Sequence, residues 1–208
     1  MNLKRTTQEI VGRPYRYALF YNFPGGLRFE LSEGGGSPLG EVLTALRKAT
    51  AICDDVFRKE ERILVHLETF ALASRFELRE KLRELRVAGI VIPNIRDVWV
   101  EAQAQTDEDD DDESGYWVSC AFEVPTSKLQ NLLWCAFTVD FGSSVGPNPR
   151  CRVYLLNMND GIVVHPYDDR GMDVIGRNMP SLAGLYERHK DLLLAYDLEV
   201  MRRTFTSA

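Results

Sequence analysis

The segment Val163-Val164-His165-Pro166-Tyr167-Asp168-Asp169-Arg170-Gly171-Met172-Asp173-Val174-Ile175 constrains this chain more than any other. Positions 168 to 173 hold four charged groups and a glycine, with apolar residues of β type on both sides. A tight charged turn between two buried strands fits that pattern, with Gly171 in the φ > 0 position and Arg170 lying across a carboxylate. The same residues admit a chemical reading. Asp168, Asp169 and Asp173 would bind a divalent cation or act as acid and base, with Arg170 clamping a phosphate. In an extended segment Asp169, Gly171 and Asp173 share one face while Asp168 and Arg170 share the other, so the three carboxylates do not converge automatically.

Upstream, the pattern is that of an α+β chain with a mostly antiparallel sheet, packed helices, and a C-terminal β-hairpin followed by helices. Met1–Gly12 is polar and weakly helical. Tyr15–Phe20 reads as a first strand. After the turn Phe23-Pro24-Gly25-Gly26, the run Leu27-Arg28-Phe29-Glu30-Leu31 alternates apolar and charged residues, which predicts a half-buried strand with Leu27, Phe29 and Leu31 inward. Ser37-Pro38 with Glu41 predicts a helix start. Leu39, Val42, Leu43, Leu46, Ala49, Ile52, Cys53, Val56 and Phe57 then follow at mostly helical spacing. Ile63–Phe70 reads as a central strand in which His66 is satisfied by a neighbour, and Phe76–Ala88 as a helix capped by Gly89. Ile95–Ala102 and Tyr116–Val124 read as strands, Lys128 to about Val139 as a helix, and Cys151–Met158 with Gly161–Tyr167 as a hairpin over Asn159-Asp160-Gly161. From Ser181 the chain is predicted helical.

Length and the 45% hydrophobic content suit a single domain, 1–208, with an insertion at about 103–115. No secretory signal and no apolar run of membrane-spanning length is read, which points to a cytoplasmic protein with no membrane association. Cys53, Cys120, Cys135 and Cys151 form no CxxC pair, and His66, His165 and His189 have no metal-ligand spacing, so neither a metal nor another cofactor is expected. The glycines at 34–36 lack a phosphate-cradle pattern, and no serine lies in a nucleophile-elbow context.

The net charge of −6 is concentrated. Asp107, Glu108, Asp109, Asp110, Asp111, Asp112 and Glu113 form an unbroken acidic run, and the remaining acids roughly balance the 25 basic residues. Nucleic acid is therefore an unfavoured partner, since the strongest charge feature repels phosphate. The run reads as a solvated loop, or as a docking surface for a basic protein.

The Tyr167-Asp168-Asp169-Arg170-Gly171 run, with LRFEL upstream and LLAYDLEVMRRTF downstream, resembles an uncharacterised bacterial family. That family carries a C-terminal Tyr-Asp-Asp-Arg-Gly hallmark and a later tyrosine–aspartate pair, here Tyr196-Asp197. The similarity is specific over about 150–208. The family pattern places an arginine after the last aspartate, where this chain has Leu198. The family is one of unknown function, so the resemblance implies a fold and no mechanism. Two function classes follow from the residues. The first is a non-enzymatic protein-binding domain, of the kind found in bacterial immunity proteins that occlude a basic toxin or nuclease. The second is a phosphate- or nucleotide-processing enzyme built on Asp168, Asp169, Arg170 and Asp173.

Overall fold

The computed structural model describes residues 2–12, 15, 18–32, 34–72, 74–102, 115–142 and 145–206. The polar N-terminal stretch forms helix α1 (Leu3–Glu9), where the Asn2 side chain accepts the Arg5 N–H and satisfies one of the donors a helix start leaves open. The next apolar run departs from its predicted strand. Ala18 takes a left-handed backbone, and Leu19–Asn22 forms one helical turn, α2. The cause is tertiary: Leu19 and Phe20 are buried against the sheet, and the Phe20 N–H donates to the Asp173 carboxylate at 3.1 Å instead of to a neighbouring strand.

Strand β1 (Leu27–Glu30) follows the predicted alternation, and Leu27, Phe29 and Leu31 are fully buried. Helix α3 (Pro38–Val56) begins at the Ser37 cap, whose hydroxyl accepts from Gly40 at 3.2 Å. Its core face is Val42, Ala45, Ala49, Ile52, Cys53 and Val56. Leu39 and Leu43, read from the sequence as part of that face, are exposed because they lie on its flank. Strand β2 (Arg62–Ala71) and helix α4 (Leu78–Val87) come next. Helix α4 buries Leu78, Leu82 and Leu85, and Gly89 closes it at φ +79°. Strands β3 (Asp97–Ala102) and β4 (Tyr116–Pro125) pair antiparallel as far as Ala102 and Tyr116. After α5 (Leu129–Phe137) come β5 (Arg152–Asn157), β6 (Ile162–Asp168) and β7 (Gly171–Gly176), then α6 (Met179–Arg188) and α7 (Leu198–Thr206). The turn between β5 and β6 is the predicted one: Gly161 has φ +61°, and the Asn157 side chain accepts from Asp160.

The seven strands among the described residues lie in one antiparallel sheet of order β1-β7-β6-β5-β2-β4-β3. Strand alternation divides its apolar residues between two cores. On one face Phe29, Val65, Leu67, Cys120, Phe122, Leu155, Val164 and Val174 pack with side chains of α3, α4, α5 and α6. On the other, Leu64, Ala121, Tyr154, Leu156, Val163 and Ile175 meet Leu3, Tyr15, Leu19 and Phe23 from the N-terminal segment. Each fully buried leucine, isoleucine or phenylalanine contributes about 1.5–3 kcal/mol relative to exposure. The architecture is α+β, as predicted. Among the described residues no helix is long and apolar enough to cross a membrane.

Candidate functional site

The charged hairpin between β6 and β7 is present, but its residues serve separate ends. Asp168 and Arg170 form a local clamp. One Asp168 oxygen accepts the Arg170 backbone N–H at 2.8 Å, and the other accepts from the Arg170 guanidinium, with Nε at 2.9 Å. Arg170 is otherwise exposed, with Asp140 at 3.9 Å. Asp169 lies beside this clamp, and burial together with the adjacent Asp168 raises its carboxyl above the ordinary carboxylate range, with Arg170 opposing. Asp173 points to the sheet face that carries the N-terminal segment. The three aspartates therefore do not converge with Arg170 on one solvent-facing centre.

A bulge explains the separation. Pro166 pairs with Met172 and Asp168 with Gly171, leaving Tyr167 as an extra residue in β6. Gly171 lies inside β7 and is absent from the positive-φ backbone positions, which corrects the predicted left-handed glycine. Its constraint is one of space, because a Cβ at Gly171 would collide with the Tyr167 hydroxyl. Gly171→Ala is accordingly expected to cost about 1–3 kcal/mol in chemical denaturation, with Gly171→Asn no better. In a Tyr167→Ala background the same Gly171→Ala change should cost less than about 0.5 kcal/mol. An undiminished cost in that background would rule out the Tyr167 contact as the cause.

The centre of the site is a residue the sequence assigned to an outer strand face, Arg28. Register places Arg28 beside Asp173, and Asp173 beside His165. The Arg28 Nε lies 3.3 Å from Asp173, and its Nη1 lies 3.4 Å from Asp197. Its guanidinium lies over the Tyr21 ring at 4.9 Å and the Tyr167 ring at 5.4 Å. Tyr21 in turn donates to Asp197 at 3.2 Å. The Arg28 side chain is only 17% exposed, and both aspartates are buried. Burial works against the Arg28 charge, but the Tyr167 hydroxyl and the Asp173 carboxylate hold its pKa above the usual guanidinium value. Burial pushes Asp173 up to about 6, against the pull of the Phe20 N–H and Arg28. Tyr167, Asp173 and Asp197 thus surround one arginine from β1, while Tyr196 points to solvent.

The polar band continues across the same face. His165 stacks on Tyr154 with ring centroids 4.4 Å apart, Tyr154 on His66 at 5.4 Å, and His66 on Trp99 at 5.1 Å. His66 is satisfied by a neighbour at one ring nitrogen only: its Nδ1 meets the Tyr15 hydroxyl at 2.5 Å, while its buried Nε2 has no hydrogen-bond partner among the described residues. Tyr154 donates to Glu68 at 3.0 Å. Burial lowers both His66 and His165 to about 3, so both rings are neutral at physiological pH. Sequence reading missed Arg28, Tyr154 and the stack. The one available signal was the β-type context of both histidines.

Among the described residues no group of three or more His, Cys, Asp or Glu side chains is placed to hold a metal ion. The four cysteines are free and buried, and burial raises every one of these thiols. Chemically, the centre is an internal ion cluster: Arg28 pairs with Asp173 and Asp197, while Arg28 Nε and Asp173 Oδ1 are buried without a hydrogen-bond partner among the described residues. The acidic residues Asp107 to Glu113 lie outside the described residues. A family model described as a domain of unknown function (DUF3885) matches residues 4–197. No curated protein and no solved structure matches the chain.

Proposed function

The chain belongs to the DUF3885 family, a domain of unknown function, and on that premise we propose that it is a non-enzymatic protein-binding domain that occludes a basic partner, in the manner of an immunity protein facing a toxin or nuclease. One observation carries the reading: the charged residues of the hairpin are taken up separately, Asp173 with Arg28 in the interior and Asp168 with the exposed Arg170, and form no shared solvent-facing centre. A phosphate- or nucleotide-processing enzyme would need Asp168, Asp169, Arg170 and Asp173 around a common substrate, and the geometry does not favour it. The acidic run 107–113 is then the concentrated charge through which such a protein meets a basic surface. Charge of this kind raises encounter rates and loses its advantage as salt screens it.

Affinity capture with the intact chain supplies the partner, and rate measurements supply the test. Replacing residues 107–113 with Ser/Gly should leave the melting temperature unchanged. Association should slow by about tenfold or more at low ionic strength and much less at high salt, with dissociation changed less. Equal association rates for the two proteins at low salt would remove the basis for a basic partner.

A further inference from the structure

The two edges of the sheet are finished differently. At the β1 edge the Leu194 N–H donates to the Arg28 carbonyl at 2.9 Å, and Phe29 forms a bridge with Leu193, so the chain following α6 closes that side. At the opposite edge β3 is bonded to β4, and no other described strand flanks it. Edge strands left as templates are usually blunted by a lysine, a proline or a covering segment. The β3 sequence, Asp97-Val98-Trp99-Val100-Glu101-Ala102, contains neither lysine nor proline.

The side chains at this edge are also apolar where they face outward. On the face of the N-terminal segment, Trp99 is covered: the Lys4 backbone N–H donates to Asp97 at 2.9 Å, and the Lys4 ammonium lies 5.8 Å from the Trp99 ring centroid. On the helix-bearing face, Val98 is 45% and Val100 47% exposed, because the helical layer stops short of this edge. Just upstream, Val91 and Ile95 are each 78% exposed. A ladder edge that no other described strand covers, flanked by exposed valines, is the arrangement that accepts an added strand.

We propose that β3 is a docking strand that takes an extended segment of the partner as a further strand of the sheet. The segment it fits alternates basic residues with apolar ones, the apolar set lying beside Val98 and Val100. The basic character follows from charge: both charged residues of β3 are acidic, and seven more acids begin five positions after Ala102. A second copy of this chain is a poorer occupant, since antiparallel pairing would set the acidic end of each β3 against Asp97 of the other. The proposal rests on the reading of the chain as a binder of basic proteins, and supplies the mode of contact.

The test uses the full chain and a short labelled peptide alternating lysine and valine. A control peptide has the same side chains, with alternate backbone amides N-methylated so that it cannot complete a ladder. The expected result is binding of the first peptide and at least about tenfold weaker binding of the second. Val98→Thr/Val100→Thr should weaken binding of the first peptide several-fold with no change in melting temperature. The Ser/Gly variant at 107–113 should bind more weakly at low salt yet keep the discrimination between peptides. Equal affinity for the two peptides overturns the docking strand and leaves a purely electrostatic binder standing. Discrimination that survives with no effect of the acidic run supports the strand and overturns the basic-partner reading. Failure of both peptides to bind overturns the docking strand.

Discussion

Arg28→Ala should destabilise the protein by about 3–5 kcal/mol, the cost of removing one member of a buried ionic cluster. The substitution leaves Asp173 and Asp197 facing a space without a cation, and it strips the Tyr21 and Tyr167 rings of the guanidinium that lies over them. For a chain of this size the corresponding loss of melting temperature is roughly 6–20 °C. Asp173→Asn should cost less, because an amide oxygen can still accept the Phe20 N–H and Arg28 keeps Asp197. Combining Arg28→Gln with Asp173→Asn should be milder than the sum of the single changes, since the two sites share one interaction. Urea denaturation of the single and double variants measures all of this. A loss below about 1 kcal/mol for Arg28→Ala would mean that the cluster is not holding β1 against β7.

Acid should unfold the protein earlier than its many surface carboxylates would suggest. His66 and His165 are lowered by burial to about 3, whereas an unfolded chain carries histidine near 6.5. Glu68 lies 3.9 Å from His66 Nε2 and favours the charged ring, but burial outweighs it. Arg152 adds to the lowering at His165. Between about pH 6.5 and 3 the unfolded state therefore binds more protons at these two sites, so native stability is full above that window and falls as pH drops through it. Two such sites lose about 2.7 kcal/mol per pH unit. Asp173 acts in the opposite sense. Its native value of about 6 lies above the unfolded 3.8, so the folded state takes up that proton first and offsets about one histidine over that interval. The net expectation is a loss of ~4 kcal/mol between pH 7 and 4. Measuring unfolding free energy by urea at several pH values checks the slope, and His66→Gln or His165→Gln should reduce it. A stability that stays flat from pH 7 to 5 would show that the rings are not held neutral in the fold.

What the sequence determined by itself are the features written in short-range pattern. The alternation of Leu27-Arg28-Phe29-Glu30-Leu31 was enough to orient β1, and Ser37-Pro38 with Glu41 to start α3. Asn159-Asp160-Gly161 specified its hairpin, and the charged interruption at 168–170 specified the next one. These signals survive in isolation because each depends on neighbours within a few residues. The acidic run is likewise a property of sequence alone. Tertiary structure decided the rest. Whether Leu19 and Phe20 extend or coil depends on the sheet beneath them and on Asp173, which comes late in the chain. Arg28 looked like one member of a solvated face until β1 was placed beside β7, where Asp173, Asp197 and Tyr167 enclose it. Gly171 signalled a special position, but only the bulge at Tyr167 shows that the constraint is space and not dihedral angle. A buried charge acquires its meaning from its partner, and strand order chooses partners across distances that no local pattern records.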